Sequence, residues 1–216
     1  RGLICKHMTD VDIKNCHPVI VHHLCKKHGI AAKYLEEYVG NRDAVLERYG
    51  KDIKQEIIRS INKNSSIRAD GWLGMFDSEM KQVQKELIAI PEYQVHLDMA
   101  KQKTQNVAGR FMSILATSYE VKILHEVIAA PKVEIGVLMF DGFMFYGDRP
   151  ENYLTYLSEL IKEKLDIDLT WTYKEHDDTF KVPDDFRYEA APDEQEIFVK
   201  MSEEFEKTHC LIREEG

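Results

Sequence analysis

Apolar and polar positions alternate between two periods along this chain. Residues 3–13 form an apolar-rich run that predicts a buried strand. Within it Asp10 and Asp12 fall on one face by the two-residue strand period, and Val11 and Ile13 on the other. A helix is expected to start near His17-Pro18, with Asn15 as N-cap and proline in the first turn, and to stop at Gly29. Two helical stretches follow at 31–49 and 51–63, divided at Tyr49-Gly50, and residues 64–74 read as a loop. Further helices are expected over 75–90, ending before Pro91, and over 105–129, where Val107, Phe111, Ile114, Leu115, Ile123, Leu124 and Val127 recur near helical spacing. The period then returns to two. Val133–Phe140 and Phe143–Tyr146 flank a turn at Asp141-Gly142, a strong hairpin signal. An amphipathic helix over 150–165 and a strand over Leu169–Tyr173 complete this part.

These elements add up to an α+β fold. A small antiparallel sheet has helices on one face, and a helical segment is inserted between its first strand and its hairpin. The expected division is a core from 1–30 and 105–175, a helical insertion over 31–104, and an acidic linker plus closing helix over 176–216.

Charge changes the picture in one respect. The chain of 216 residues carries 29 Lys+Arg against 38 Asp+Glu, a net −9, which at first argues against nucleic acid. The acidic excess lies in the C-terminal third, and a cation site itself needs local negative charge, so total charge does not decide the matter. Four cysteines, Cys5, Cys16, Cys25 and Cys210, form no CxxC and no small-secreted-domain pattern. They read as free thiols of an intracellular, reducing compartment: cytoplasm, nucleus or viral factory. No apolar run is long enough to span a bilayer, so no membrane partner is expected. The start at Arg1, without an initiator Met or a signal-peptide pattern, reads as a fragment of a longer polypeptide.

The chemistry concentrates in two segments. Asp12 (with Asp10) ends the first strand, and Asp141 sits in the hairpin turn about 130 positions later. Acids at two distant strand ends, brought together by a fold, suit two-metal phosphoryl transfer with Mg2+ or Mn2+. The other reading of each aspartate is a cap or turn residue. Basic residues between the two segments, Arg42, Lys54 and Arg59, are candidates for triphosphate contacts, and a solvated charged face is their alternative. Cys16, His17, His22, His23, Cys25 and His28 cluster on the first helix, but a fourth zinc ligand with knuckle spacing is missing. Trp72, Trp171, Phe145 and Tyr146 are candidates for base stacking or for the core.

The segment Asp12-Ile13-Lys14-Asn15-Cys16-His17-Pro18 resembles the first palm motif of family B DNA polymerases, with His17 where that family has a tyrosine. The phrasing is closer to palm-like proteins of large DNA viruses and mobile elements. Tyr38-Val39-Gly40-Asn41-Arg42, the long helix Asn106–Leu124 and Phe140-Asp141-Gly142 match those in order, over roughly residues 5–210. Phe205–Cys210 is similar to the join that leads toward a poxvirus-type primase-helicase.

The resemblance implies a DNA-directed nucleotidyltransferase acting on a DNA primer-template and dNTPs, with a helicase region in the same polypeptide. It implies Asp12 and Asp141 as catalytic metal ligands supplemented by Asp10, His17 and Asn62 beside the nucleotide, and Lys174 near the primer or the triphosphate. The chain departs from family B in having one hairpin aspartate, in His17, and in Asn62-Lys63-Asn64 where the fingers helix carries asparagine-tyrosine-glycine. His17 leaves the choice between DNA and RNA precursors open. A non-catalytic palm-like binding module of a replication primase-helicase and a metal-dependent nuclease are the alternatives.

Overall fold

The computed structural model describes residues 8–67 and 69–175. The expected acidic linker and closing helix over 176–216, the segment Phe205–Cys210 and residues 3–7 of the first strand lie outside the described residues.

The chain enters through β1 (Met8–Ile13) and passes into α1 (Cys16–His28), α2 (Lys33–Gly40), α3 (Arg42–Tyr49), α4 (Ile53–Asn62) and α5 (Gly71–Ile88). A 3-10 turn at Pro91–Tyr93 leads to α6 (Gln94–Lys101) and α7 (Val107–Ala129). The hairpin β2 (Ile135–Met139) and β3 (Gly142–Tyr146), then α8 (Tyr153–Leu165) and β4 (Trp171–Lys174), close the described part. The fold is α+β, with a four-stranded antiparallel sheet in the order β2-β3-β1-β4. β1 is therefore central although it comes first in sequence, so everything that pairs with it is long-range.

Register separates the two faces of the sheet. Val11 lies opposite Phe143 and Tyr173, and Ile13 opposite Trp171. Val11, Ile13, Phe143, Phe145 and Trp171 join one buried cluster with Val19, Ile20 and Leu24 of α1, Ile123 and Val127 of α7, and Leu157 and Ile161 of α8. Phe143, Phe145, Tyr153 and Trp171 meet mostly edge to face, at centroid separations of 5.5–6.4 Å. Each such side chain taken out of water contributes about 1.5–3 kcal/mol. The other face carries Asp10 and Asp12, opposite Met144 and Gly142 on one side and Lys174 and Thr172 on the other.

α7 is the hub of the helical layer, packing against α1, α4, α5, α6 and α8. Its buried residues, from Phe111 and Met112 to Leu124 and Val127, extend well round the helix because neighbours cover several of its sides. α1 stops at Gly29 as expected. Gly29 has φ +66°, and the Ile30 amide reaches back to the Cys25 carbonyl at 2.9 Å, a left-handed C-terminal closure that suits glycine.

Several boundaries move. The expected helix 31–49 breaks at Gly40-Asn41, where Asn41 (φ −142°, ψ 46°) leaves helical geometry. α5 begins at Gly71, inside the expected loop, and α6 was not foreseen as a separate helix. Asn15 does precede α1, but in left-handed geometry (φ 62°) and without a side-chain cap bond. The hairpin turn is Phe140-Asp141, one residue earlier than the sequence suggests. Met139 pairs with Gly142, and Phe140 takes the positive φ of +44°. Gly142 is thus the first residue of β3.

Candidate active site

The end of β1 and the turn of the hairpin lie side by side. The Ile13 amide donates to the Asp141 carbonyl at 2.9 Å, and Asp12 is the cross-strand partner of Gly142. Two acids 129 positions apart therefore share one end of the sheet, as the sequence predicts. Gly142 makes the approach close. A Cβ there would fall 2.5 Å from Asp12 Oδ1 and 2.9 Å from Asp12 Cα, and closer still to the Val11 carbonyl oxygen. Glycine is required here for contact rather than for turn geometry, because its φ is not in the left-handed region.

Asp12 is 7% exposed and Asp10 1%, both buried carboxylates on the sheet face away from the helices. Glu120, 6% exposed, reaches toward the same place from α7. Burial first, then the charges of Asp12 and Glu120, pushes the Asp141 carboxyl up; its own backbone amide and Lys174 pull it down. The buried Cys16 thiol is likewise pushed up, by burial first and then by Glu120, Asp141 and Asp12. Three carboxylates from β1, the hairpin and α7 thus act on one point at the start of α1. From the sequence Glu120 is only a possible supplement to the acid pair in the nuclease reading, because nothing fixes a glutamate inside a helix until the helix is packed.

His17 and Lys174 face these carboxylates. His17, in the first turn of α1, faces Glu120 with Nε2 and Oε2 3.2 Å apart. Lys174, the last residue of β4, donates to Asp12 Oδ2. Lys174 is placed by register opposite Asp10, so its side chain crosses diagonally over the polar face to Asp12.

The remaining candidates are distributed differently. Arg42, at the start of α3, pairs with Asp43 at 3.1 Å, and Asp43 accepts from Lys14 at 3.0 Å. Lys14, Asn15, Arg42 and Asp43 line one small cavity of about 260 Å³ beside the start of α1. Arg42 is in this way brought to the neighbourhood of the first motif. Lys54 and Arg59 lie on the exposed side of α4, where Arg59 pairs with Glu56 at 3.3 Å. Asn62 ends α4, and its carbonyl accepts from Asn106 Nδ2 at 3.0 Å.

Trp171 and Phe145 belong to the core, and Trp72 stacks on Tyr49 and Phe76 with its Nε1 donating to Glu37. Tyr146 is half exposed. Cys16 and Cys25 are buried free thiols, and His28 bonds the Tyr93 hydroxyl at 2.7 Å.

Among the described residues no three or more His, Cys, Asp or Glu side chains form a metal-holding group. The zinc reading of α1 thus finds no support among these residues. The same observation does not conflict with magnesium, which is commonly held by one or two carboxylates and completes its shell with water and substrate phosphates. Asp12 and Asp141 supply hard oxygen donors of that number, and the missing side chain of Gly142 is what lets β3 pack directly against the Asp12 carboxylate. The donor pair fits a hard divalent cation.

No family model matches the chain, and no solved structure matches it. Among the described residues no helix is long and apolar enough to cross a membrane. The chain is similar to a Sputnik virophage protein named "Putative helicase V13", at 26% identity over 161 residues. The match covers 64% of this chain and 20% of the relative, so the chain corresponds to about a fifth of that protein's length.

Proposed function

We propose that this chain is a palm-like domain of a viral or mobile-element DNA-replication protein, and that it catalyses template-directed transfer of nucleotides from dNTPs to a DNA primer. The observation that carries the proposal is the pairing of the β1 end with the hairpin turn, which sets Asp12 beside Asp141 with a glycine at the contact. The similarity to a virophage protein named as a helicase supports the replication setting and a helicase region in the same polypeptide.

In this reading Asp12 and Asp141 hold Mg2+ or Mn2+. A divalent cation so held supplies charge neutralisation for the phosphoryl group in transfer. The chain's own residues position what reacts. The central strand β1 fixes Asp12 on a backbone bonded on both sides. Glu120 holds the His17 ring beside the acids, where the resemblance places the sugar of the incoming nucleotide. Arg42 presents a guanidinium near the start of α1, suited to bidentate contact with phosphate once it leaves Asp43. Asn62, Lys54 and Arg59 stand further out, as contacts that an insertion closing over the nucleotide brings in.

The test is primer extension on a primed template with Mg2+ or Mn2+, comparing wild type with Asp12→Ala and Asp141→Ala. The expected result is extension by wild type and a loss of at least ~100-fold in each variant, the scale of removing one preorganised charge-stabilising group. Variants that extend as well as wild type refute the site. Shortened primers identify a nuclease instead. Binding of DNA with no change in primer length identifies a non-catalytic module.

A further inference from the structure

The Lys174–Asp12 contact places a protonated amine on an oxygen of the proposed metal ligand. The Lys174 side chain, on the outermost strand among the described residues, is 47% exposed, whereas that of Asp12 is 11% exposed. Asp141 also lies in the field of the same ammonium, and both aspartates lie within electrostatic reach of Cys16 together with Glu120. Carboxylates gathered in a part-buried site repel one another unless a cation is present. Lys174 is such a cation, and it is tethered at the rim rather than packed inside. An ammonium cannot ligate a metal, so it competes with a divalent ion for Asp12 Oδ2.

We propose that Lys174 is a positioning residue that serves as an exchangeable counter-cation of Asp12. It holds the metal-free site together, yields Asp12 Oδ2 when a divalent cation arrives, and is then free at the sheet edge to meet a phosphate of the nucleic acid or the nucleotide. The inference rests on the reading of Asp12 and Asp141 as metal ligands.

The test measures Mn2+ binding by the free-ion electron paramagnetic resonance signal, together with the melting-temperature shift on adding Mn2+, on the full chain. Wild type, Lys174→Met, Lys174→Arg and Asp12→Asn are compared, without substrate. The expected results for Lys174→Met are a lower melting temperature without metal, Mn2+ binding about tenfold tighter, and a larger Mn2+-induced rise. Tenfold corresponds to removing one charge-assisted hydrogen bond from the competing state, taken at the low end for a half-exposed lysine. Lys174→Arg is expected to stay near wild type, because the guanidinium keeps the competing charge. A purely structural lysine gives lower stability in Lys174→Met with unchanged or weaker Mn2+ affinity. That outcome, with Asp12→Asn abolishing the metal response, overturns this inference and leaves the metal site standing. A full Mn2+ response in Asp12→Asn, or none in wild type, overturns both.

Discussion

Gly142→Ala tests the contact on which the site is built. The added methyl would sit 2.5 Å from Asp12 Oδ1 and 2.9 Å from Asp12 Cα, nearer still to the Val11 carbonyl oxygen. Two of those three neighbours are backbone atoms of the central strand, which is bonded to β3 on one side and β4 on the other. They cannot swing away as the end of a flexible side chain can. Overpacking a well-filled interior costs about 1–3 kcal/mol, and rigid backbone neighbours put this case at about 3 kcal/mol. For a chain of this size that corresponds to a melting temperature lower by roughly 6–12 °C. Gly40→Ala is the matched control. Gly40 closes α2, has no atom within 4 Å of an added Cβ, and lacks a positive φ, so alanine is expected to be neutral or stabilising by up to about 1 kcal/mol. Thermal denaturation of both variants, followed by circular dichroism, gives the comparison. A Gly142→Ala protein melting within 2 °C of wild type refutes the close approach of β1 to β3 at Asp12, and with it the geometric basis of the metal site.

Two further outcomes rest on other parts of the fold. Asp77, 2% exposed on α5, accepts from Ser60 Oγ and the Ile67 amide and pairs with Lys81 at 3.3 Å, while Lys81 Nζ donates to the Ser60 and Lys63 carbonyls at 2.7 Å. This network closes the C-terminus of α4, and Asp77→Ala removes one member of a buried pair, a change of about 3 kcal/mol measurable by urea denaturation; a loss under about 1 kcal/mol contradicts it. Burial is the first cause of lowered pKa at His22, His23 and His96. A lowered folded value means the unfolded chain binds more protons, so their contribution is complete above about pH 6.5 and is lost as pH falls through the folded values. The melting temperature is expected to fall between pH 7.5 and 5.5, and the fall to shrink in a His22→Gln/His23→Gln variant; an unchanged fall removes these two histidines as its cause.

The sequence makes the site legible at both ends and conceals what joins them. β1 and the hairpin are readable because two-residue alternation and an Asp-Gly step are local signals. The sheet order is not readable, since β1 pairs with segments some 130 and 160 positions away. Asp-Gly locates the hairpin correctly but for a reason other than the usual one. Turn chemistry predicts glycine at the position of positive φ, yet Phe140 takes that geometry and Gly142 is needed where another strand passes. The break at Gly40-Asn41 escapes because amphipathic spacing continues across a change of helix axis: both helices turn apolar residues to the same core. Leu35 and Tyr38 before the break and Val45 after it are all buried.

Lys174 shows the same limit from the functional side. From the sequence it is a lysine at a strand end, suited to a phosphate or to solvent. Pairing β4 with β1 sets it opposite Asp10 and within reach of Asp12, where it neutralises the acid that the proposed chemistry needs. A residue that binds phosphate in one state and guards a metal ligand in another has one requirement common to both, a mobile positive charge at the edge of the sheet. The exposure of its side chain, beside the near-complete burial of Asp12, meets that requirement. Its exposed place on the outermost of the described strands is the part of the arrangement that fits the proposed exchange rather than a fixed structural pair.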